Sequence, residues 1–198
     1  LVLTYHTKYD VDIAKAVRGK LLQESAIRAL VQNIASCDEV WVVSRGAGEN
    51  LRSLGYEGDY IVMENGVDVP RGRVSDEAIA AATGRYDLPQ NVPVFLFVGR
   101  LMWYKGIRII LDALKTLREK NVDFRMVFVG EGADGAEIRS YAEERKLSDR
   151  CFFTGAISDR EIIRAWYGRS DLFLFPSTFD TNGLVVREAA ASGTATVM

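Results

Sequence analysis

The 198-residue chain is long enough for one large domain or two modest ones, each with a hydrophobic core of its own. Its 48% hydrophobic and 26% charged residues are typical of a globular protein, and no apolar run approaches the ~18 residues that span a bilayer. The net charge of −2 gives no basic field, which argues against nucleic acid as the main partner.

The two cysteines carry little functional signal. Cys37 and Cys151 are far apart and lie outside any Cys-x-x-Cys or histidine-rich context. They therefore indicate neither a zinc site nor a disulfide framework, and we expect reduced core residues. This usage favours a cytoplasmic protein, and a location at the inner face of the plasma membrane stays open.

The first 66 residues are predicted to be the end of an α/β domain. A short strand over 1–5 leads to a polar turn, and apolar residues spaced three to four apart over 11–36 predict an amphipathic helix interrupted near Gly19. Further along, the patterns predict strands at 39–44 and 59–64 and a short helix at 46–55.

Residues 67–92 read as an interdomain linker around one short helix, and a second α/β domain follows over 93–198. Its strands are predicted at 93–98, 124–129, 150–154, 171–175 and from 194, with helices at 105–120, 134–146, 158–168 and 183–192. Near-continuous apolar strands alternating with amphipathic helices predict parallel sheets with helices on both faces. Both chain ends read as strand interiors, so we expect both domains to be incomplete parts of a longer protein.

Ligands of open α/β sheets bind on the loops beyond the carboxyl ends of the strands. The first such loop in the second domain, 99–104, brings Arg100 close in sequence to Lys105, which is predicted to open a helix. A guanidinium fork and an ammonium group can converge on one phosphate, and a lysine at a helix start opposes the helix dipole unless an anion lies nearby. The alternative is a solvated surface pair.

The last of these loops precedes another predicted helix. Asn182-Gly183 turns the chain into this helix and leaves its first amides without intrahelical partners, which suits a phosphate. Glu188, just over one turn into the helix, is suited to bind ribose hydroxyls, and Asp180 would face the sugar at the other end of a diphosphate. The alternative is a dipole-favoured glutamate and a turn aspartate.

Five motifs in one order resemble the retaining glycosyltransferases of the GT-B fold, group 1 (family 4). They are NGVD at 65–68, VGRLMWYKG at 98–106, VGEG at 129–132, FTG at 153–155 and PSTFDTNGLVVREA at 176–189. The last matches the family's E-x7-E element, with Asp180 where the family usually has glutamate. This change keeps the charge and shortens the reach by one methylene.

The resemblance implies a role for each matching position. Arg100, Lys105, Asp180 and His6 would be catalytic, with the two cations stabilising the leaving diphosphate. Glu188 would bind the ribose, and backbone near 154–157 would contact the base. The full donor-binding set would comprise Gly99, Arg100, Lys105, Gly130, Thr154, Gly155, Asp180, Asn182, Gly183, Leu184, Val185 and Glu188.

The remaining motifs are interpreted by their context. His6 would lie near the transferred sugar, or else cap backbone in its loop, and the segment TYHTKYD is similar to glycosyltransferases that act on diacylglycerol. Asp10 and Asp12 form a D-x-D at a helix start, where acids are favoured without a metal. Gly46-x-Gly48 lacks the third glycine of a dinucleotide site and is predicted to be a plain turn.

By the resemblance, the protein moves a hexose from a nucleotide diphosphate sugar, foremost a UDP-sugar, to an acceptor hydroxyl with retention of anomeric configuration. No metal or other cofactor is expected; the partners are the nucleotide-sugar donor and a carbohydrate or glycolipid acceptor, with membrane contact through absent N-terminal segments left open. The N-terminal domain would bind the acceptor, and this chain alone would be inactive. The alternatives are a non-catalytic nucleotide-sugar-binding subunit or a nucleotide-sugar epimerase on the same fold.

Overall fold

The computed structural model describes residues 1–177, 180 and 182–198, apart from the side chains of Val11 and Lys15. The chain forms two compact units. Unit 1 comprises Leu1–Gly66 and Asp180–Gly183, and unit 2 comprises Val67–Phe179 and Leu184–Met198.

Unit 1 contains a three-stranded parallel sheet in the order β1-β2-β3. Its elements are β1 (Val2–Tyr5), α1 (Tyr9–Ala16), α2 (Lys20–Ala35), β2 (Glu39–Val42), α3 (Arg45–Ser53) and β3 (Ile61–Val62). The core around the sheet includes Tyr5, Val42 and Leu51, all fully buried. The predicted interruption of the first long helix is confirmed, because Gly19, with φ of 99°, separates α1 from α2.

Two details of unit 1 correct the sequence prediction. Ser44 caps α3 by accepting a hydrogen bond from the Ala47 amide, so Gly46 and Gly48 lie inside a helix and not in a plain turn. A Cβ at Gly48 would overlap the ring of Tyr60, so this glycine admits an aromatic side chain. The strand predicted at 59–64 is only two residues long.

Unit 2 contains a five-stranded parallel sheet in the order β6-β5-β4-β7-β8. Its elements are α4 (Asp76–Thr83), β4 (Val94–Val98), a 3-10 turn (Trp103–Lys105), α5 (Ile107–Glu119), β5 (Arg125–Val129), α6 (Gly135–Glu144), β6 (Cys151–Gly155), α7 (Arg160–Arg169), β7 (Leu172–Leu174), α8 (Leu184–Ala191) and β8 (Ala195–Val197). Each predicted strand and helix of this region is present, with ends shifted by a few residues.

The sheet of unit 2 is buried on both faces. One core joins α5 and α6 to the sheet and includes Phe97, Leu111 and Phe128. The other joins α7 and α8 to the opposite face and includes Leu96 and Trp166. Alternate residues of one strand, Leu96 and Phe97, thus enter different cores, which explains the continuous apolar run of β4. The predicted parallel sheet with helices on both faces is confirmed.

Candidate functional site

The strand order places a crevice at the carboxyl edge of the unit 2 sheet. The chain runs outward from β4 to β5 and β6, then returns to the other side of β4 for β7 and β8. Neighbouring loops at such a reversal leave in opposite directions, and ligands of doubly wound sheets bind in the opening between them. The loops after β4 and β7, which begin at Gly99 and Phe175, flank this point.

Glycines allow the loops at this edge to touch through their backbones. A Cβ at Gly106 would overlap the carbonyl oxygen of Pro176, and one at Gly130 would overlap that of Gly99. Gly106 also has φ of 78°, which disfavours any other residue. The Gly130 amide donates to the Gly155 carbonyl at 2.9 Å, which ties the loop after β5 to the end of β6. These contacts join the loops after β4, β5 and β7 and the end of β6. Gly99, Gly130 and Gly155 belong to the predicted donor-binding set, and Gly106 does not.

Tyr104 brings Arg100 and Lys105 together. Arg100 is exposed and donates from Nη2 to the Tyr104 hydroxyl oxygen at 2.7 Å, with its Cζ 6.0 Å from the ring centroid. The Lys105 Nζ lies 5.5 Å from the same centroid and 5.8 Å from that of Phe175, which follows β7. Both cations therefore contact the same aromatic ring on the loop after β4. Their joint binding of a diphosphate stays a prediction.

Lys105 does not open α5, contrary to the sequence prediction. It ends a 3-10 turn closed by its amide, which donates to the Met102 carbonyl at 3.0 Å, and α5 begins at Ile107 after the left-handed Gly106. Because Lys105 does not start the helix, an unfavourable helix dipole gives no reason to expect an anion beside it. Its place in the site depends on its contacts with Tyr104 and Phe175.

Trp103 has a packing role within unit 2. Its indole nitrogen donates to Glu137 Oε2 at 3.0 Å, and its ring meets Tyr141 edge to face at 5.4 Å. The adjacent tyrosine, Tyr104, holds the cations. The two adjacent aromatic side chains therefore have different contacts.

Glu188 lies on α8, about one turn after the helix begins. Its Oε2 is 3.4 Å from the Tyr167 hydroxyl, which also lies 3.1 Å from the Val185 carbonyl oxygen. The phenol is buried, and this burial, reinforced by the Glu188 carboxylate, raises the pKa of Tyr167 far above its usual range. The hydroxyl therefore stays protonated and can donate to α8 throughout the physiological pH range.

A cleft of about 190 Å³ opens beside Glu188. Its walls are Val69, Ser158, Arg160, Ile163, Arg164, Tyr167 and Glu188. The Arg164 Nη1 donates to both oxygens of Glu161 at 3.0 and 2.9 Å, while its Nε is buried with no hydrogen-bond partner among the described residues. Since typical ligand clefts measure roughly 300–1,000 Å³, this one would hold one end of a larger ligand.

Thr154 and Gly155 close β6 at the same sheet edge. The Thr154 hydroxyl donates to the Gly155 carbonyl at 2.9 Å, so the threonine side chain is turned to its own backbone. A contact from this segment to a ligand would therefore come from backbone groups, as the motif predicted.

The predicted site residues fall into both units. Unit 2 contains the following predicted site residues at the carboxyl edge of its sheet: Gly99, Arg100, Lys105, Gly130, Thr154, Gly155, Leu184, Val185 and Glu188. Unit 1 contains the exposed His6 and the segment Asp180–Gly183. Thr178, Phe179 and Thr181 of the same motif lie outside the described residues. The prediction that all these residues serve one site stays a prediction.

Asp10 and Asp12 lie in the first turn of α1, as predicted. In the part of the chain that the structure describes, no three His, Cys, Asp or Glu side chains are grouped so that they could hold a metal ion. Within the same part, every helix is too short or too polar to cross a lipid bilayer.

A family model described as glycosyl transferases group 1 matches residues 80–198. The chain belongs to this family. The resemblance read from the five motifs is thereby confirmed. The group 1 match covers most of unit 2 and contains all its predicted site residues.

Two curated relatives extend the similarity over the whole chain. D-inositol 3-phosphate glycosyltransferase of Xylanimonas cellulosilytica is 31% identical over 209 residues, which cover 100% of this chain and 49% of that protein. Alpha-monoglucosyldiacylglycerol synthase of Streptococcus pneumoniae is 24% identical over 198 residues, or 98% of this chain and 45% of that protein. The chain spans about half the length of these relatives. Their names bear out the predicted likeness to bacterial glycolipid-type enzymes.

The fold is shared with a solved glycosyltransferase structure. HepE from Anabaena, crystallised in complex with UDP, matches with a TM-score of 0.79 at 21% identity, over 99% of this chain and 52% of that one. The predicted GT-B fold class is confirmed by this likeness together with the parallel sheets covered by helices.

The sequence motifs do not include three residues of the cleft, Arg160, Arg164 and Tyr167. They lie four and three positions apart on α7 and therefore share one face of that helix. This spacing is the signal that could have found them. The spacing alone would not have shown which element faces them, because α8 follows more than ten residues later.

Proposed function

We propose that the full-length protein is a retaining hexosyltransferase and that unit 2 binds its nucleotide diphosphate sugar. The observation that carries this proposal is the convergence of Arg100 and Lys105 on Tyr104 beside the crevice. Two cations at that point suit a diphosphate. A simple pair of solvated surface cations would not need to share one aromatic contact. The Glu188 carboxylate, in the cleft on the same unit, suits the hydroxyls of a ribose.

The proposed chemistry is the departure of the nucleotide diphosphate from the anomeric carbon. Arg100, Lys105 and the first amides of α8 would stabilise the negative charge that grows on the leaving oxygen. An acceptor hydroxyl would then attack on the face that the diphosphate leaves, through an ion-pair-like state, and would give its proton to the departing phosphate oxygen. Attack on that face retains the configuration. In this proposal the protein's own charges do the neutralising, and no cofactor takes part.

UDP-sugars are the proposed donors. The cleft beside Glu188 is lined by Arg160, Arg164 and Ser158. Arginine only donates hydrogen bonds, which suits the carbonyl oxygens of uracil better than the amino group of adenine. HepE, which shares the fold, was crystallised with UDP.

The proposed acceptor is a hydroxyl of a carbohydrate or a glycolipid. The curated relatives carry names of a diacylglycerol-glycolipid enzyme and of an inositol phosphate enzyme, which supports an acceptor of this kind. His6 and Asp180, both in unit 1, would lie toward the transferred sugar. The cytoplasmic location expected from the sequence stays part of the proposal.

The test is turnover by the full-length protein with UDP-hexoses and with sugar and diacylglycerol acceptors. We expect a product with retained anomeric configuration, seen in the proton NMR spectrum. The double variant Arg100→Ala/Lys105→Ala should lower kcat roughly 10²- to 10³-fold, the range for losing preorganised charge stabilisation. Lys115→Ala, on the exposed face of α5, should behave like wild type.

Three results would contradict the proposal. An inverted product would exclude the retaining mechanism. Binding of UDP-sugar with no transfer to any acceptor would favour the non-catalytic subunit, and conversion of the free UDP-sugar to its epimer would favour the epimerase.

A further inference from the structure

Tyr167 is a core residue with its one polar atom at the predicted nucleotide site. It is 1% exposed, and its ring packs edge to face on Phe173 of β7 at 5.5 Å. Its hydroxyl contacts two groups of α8, the Val185 carbonyl at 3.1 Å and the Glu188 carboxylate at 3.4 Å. A phenylalanine ring, which has hydrogen in place of this hydroxyl, would fill nearly the same core volume. Packing alone therefore does not require tyrosine here.

The backbone of Tyr167 is fixed as firmly as its ring. The Thr194 hydroxyl, which is buried just before β8, donates to the Tyr167 carbonyl oxygen at 2.7 Å. The side chain thus extends from an anchored point on α7 to the first turn of α8. Because its ring is packed in the core and its backbone is anchored, the side chain leaves the hydroxyl little freedom to move.

The position of the hydroxyl matters because of what α8 carries. Val185 belongs to the first turn, whose amides are predicted to face the donor phosphate, and Glu188 lies one turn further at the cleft. At 3.4 Å the bond to the carboxylate is long, and the Val185 carbonyl at 3.1 Å is the nearer acceptor. The single hydroxyl proton is within reach of both acceptors, so it can be donated to one carboxylate oxygen and leave the other oxygen for a ligand.

We propose that Tyr167 is a positioning residue for the ribose of the donor. It holds Glu188 Oε2, so that the second carboxylate oxygen meets the ribose hydroxyls in a fixed orientation. This inference rests on the proposed function, and it assigns Tyr167 a role without contact to the sugar nucleotide. Burial raises the pKa of the phenol, so it stays a hydrogen-bond donor at neutral pH.

The test compares UDP with 2′,3′-dideoxy-UDP, which lacks both ribose hydroxyls, by calorimetric titration of the full-length protein. Wild type should bind UDP roughly tenfold to a hundredfold more tightly, the value of hydrogen bonds to a carboxylate. Tyr167→Phe should reduce that ratio roughly threefold to tenfold and leave the affinity for the dideoxy nucleotide unchanged. In a Glu188→Gln background the same substitution should change the ratio no further.

The control is Tyr141→Phe. This tyrosine also donates its hydroxyl to a carboxylate, that of Asp112 at 3.0 Å, on the helices of the other sheet face. Its loss should leave the ratio between UDP and the dideoxy nucleotide as in wild type. Thermal unfolding of both variants gives the stability cost of deleting each hydroxyl.

The outcomes separate the two proposals. If Tyr167→Phe weakens both nucleotides equally, or keeps the full ratio, the positioning role is overturned while the nucleotide site stands. If wild type binds neither UDP nor GDP nor ADP while folded, the nucleotide site itself is contradicted, and the role of Tyr167 is overturned with it.

Discussion

Arg100 and Lys105 are oriented by an aromatic residue, Tyr104. An aromatic ring attracts cations through its quadrupole and adds no formal negative charge. Contacts of this kind order two flexible side chains. Elsewhere in unit 2, burial favours the uncharged form of a side chain. Desolvation keeps Cys151 and Tyr167 in their neutral forms.

The buried thiol leads to a prediction about alkaline stability. Burial raises the pKa of Cys151 from 9.0 to about 12. The folded state therefore keeps a proton that the unfolded chain loses above pH 9, so this contribution to stability is complete below pH 9 and is lost as the pH rises toward 12. We expect the free energy of unfolding to fall by up to about 1.4 kcal/mol per pH unit from this group.

Urea unfolding of wild type and Cys151→Ala between pH 8 and roughly 10.5 measures this effect. The variant should be less stable at pH 8 because it leaves a small cavity, and its stability should decline less steeply above pH 9. Cys37→Ala, at the half-buried second cysteine, serves as the control and should keep the wild-type slope. Equal slopes in all three proteins would contradict the assignment.

At the scale of elements, the site depends on loops that touch through glycine. The 3-10 turn that ends at Lys105 is followed by Gly106, whose missing side chain admits the Pro176 carbonyl. This contact joins the loop after β4 to the loop after β7 across the reversal of strand order. The two loops can therefore hold a common ligand only while position 106 stays free of a Cβ.

Gly106→Ala should therefore destabilise unit 2 strongly. The left-handed backbone costs about 1–2 kcal/mol for alanine, and the overlap with the Pro176 carbonyl adds about 1–3 kcal/mol. Gly193→Ala is the matched control, because Gly193 has φ of 80° and open space around its Cβ position. Chemical denaturation should show the first term in both variants and the second in Gly106→Ala alone. An equal loss of unfolding free energy in the two variants would mean that the loops after β4 and β7 can move apart at no cost in stability.

The strands of unit 2 could be predicted because their apolar runs end at glycine or proline. Gly99, Gly130 and Pro176 follow buried strands closely, and the pattern placed all four loops at the correct edge of the sheet. The 3-10 turn could not be predicted, since it depends on one backbone bond between Lys105 and Met102 that leaves no periodic trace.

Contacts between distant segments set a second limit to the sequence prediction. Gly48 lies in a helix because Ser44 caps it, and the ring that it admits comes from Tyr60, on a separate segment. Tyr167 and Glu188 meet across two helices whose facing surfaces no single-helix pattern defines. The motifs therefore predict residues that would contact a ligand. The contact of Tyr167 with Glu188 can be found only from the structure.

For the whole molecule, the division into units separates two parts of the predicted site. Unit 2 carries the proposed diphosphate and ribose groups on one doubly covered sheet. Unit 1 carries His6 and the segment Asp180–Gly183, although the chain on both sides of that segment belongs to unit 2. We therefore expect nucleotide binding to depend on unit 2 and sugar transfer to need groups from both units.

The central claim is that the helix carrying Glu188 forms part of a nucleotide diphosphate site. Calorimetric titration of UDP, GDP and ADP into the full-length protein tests it most directly, with Glu188→Ala as the variant and Glu143→Ala, on the exposed face of α6, as the control. We predict saturable binding of UDP that persists in the control and is lost in Glu188→Ala. Binding that is equal in both variants, or absent for all three nucleotides in folded protein, would contradict the claim.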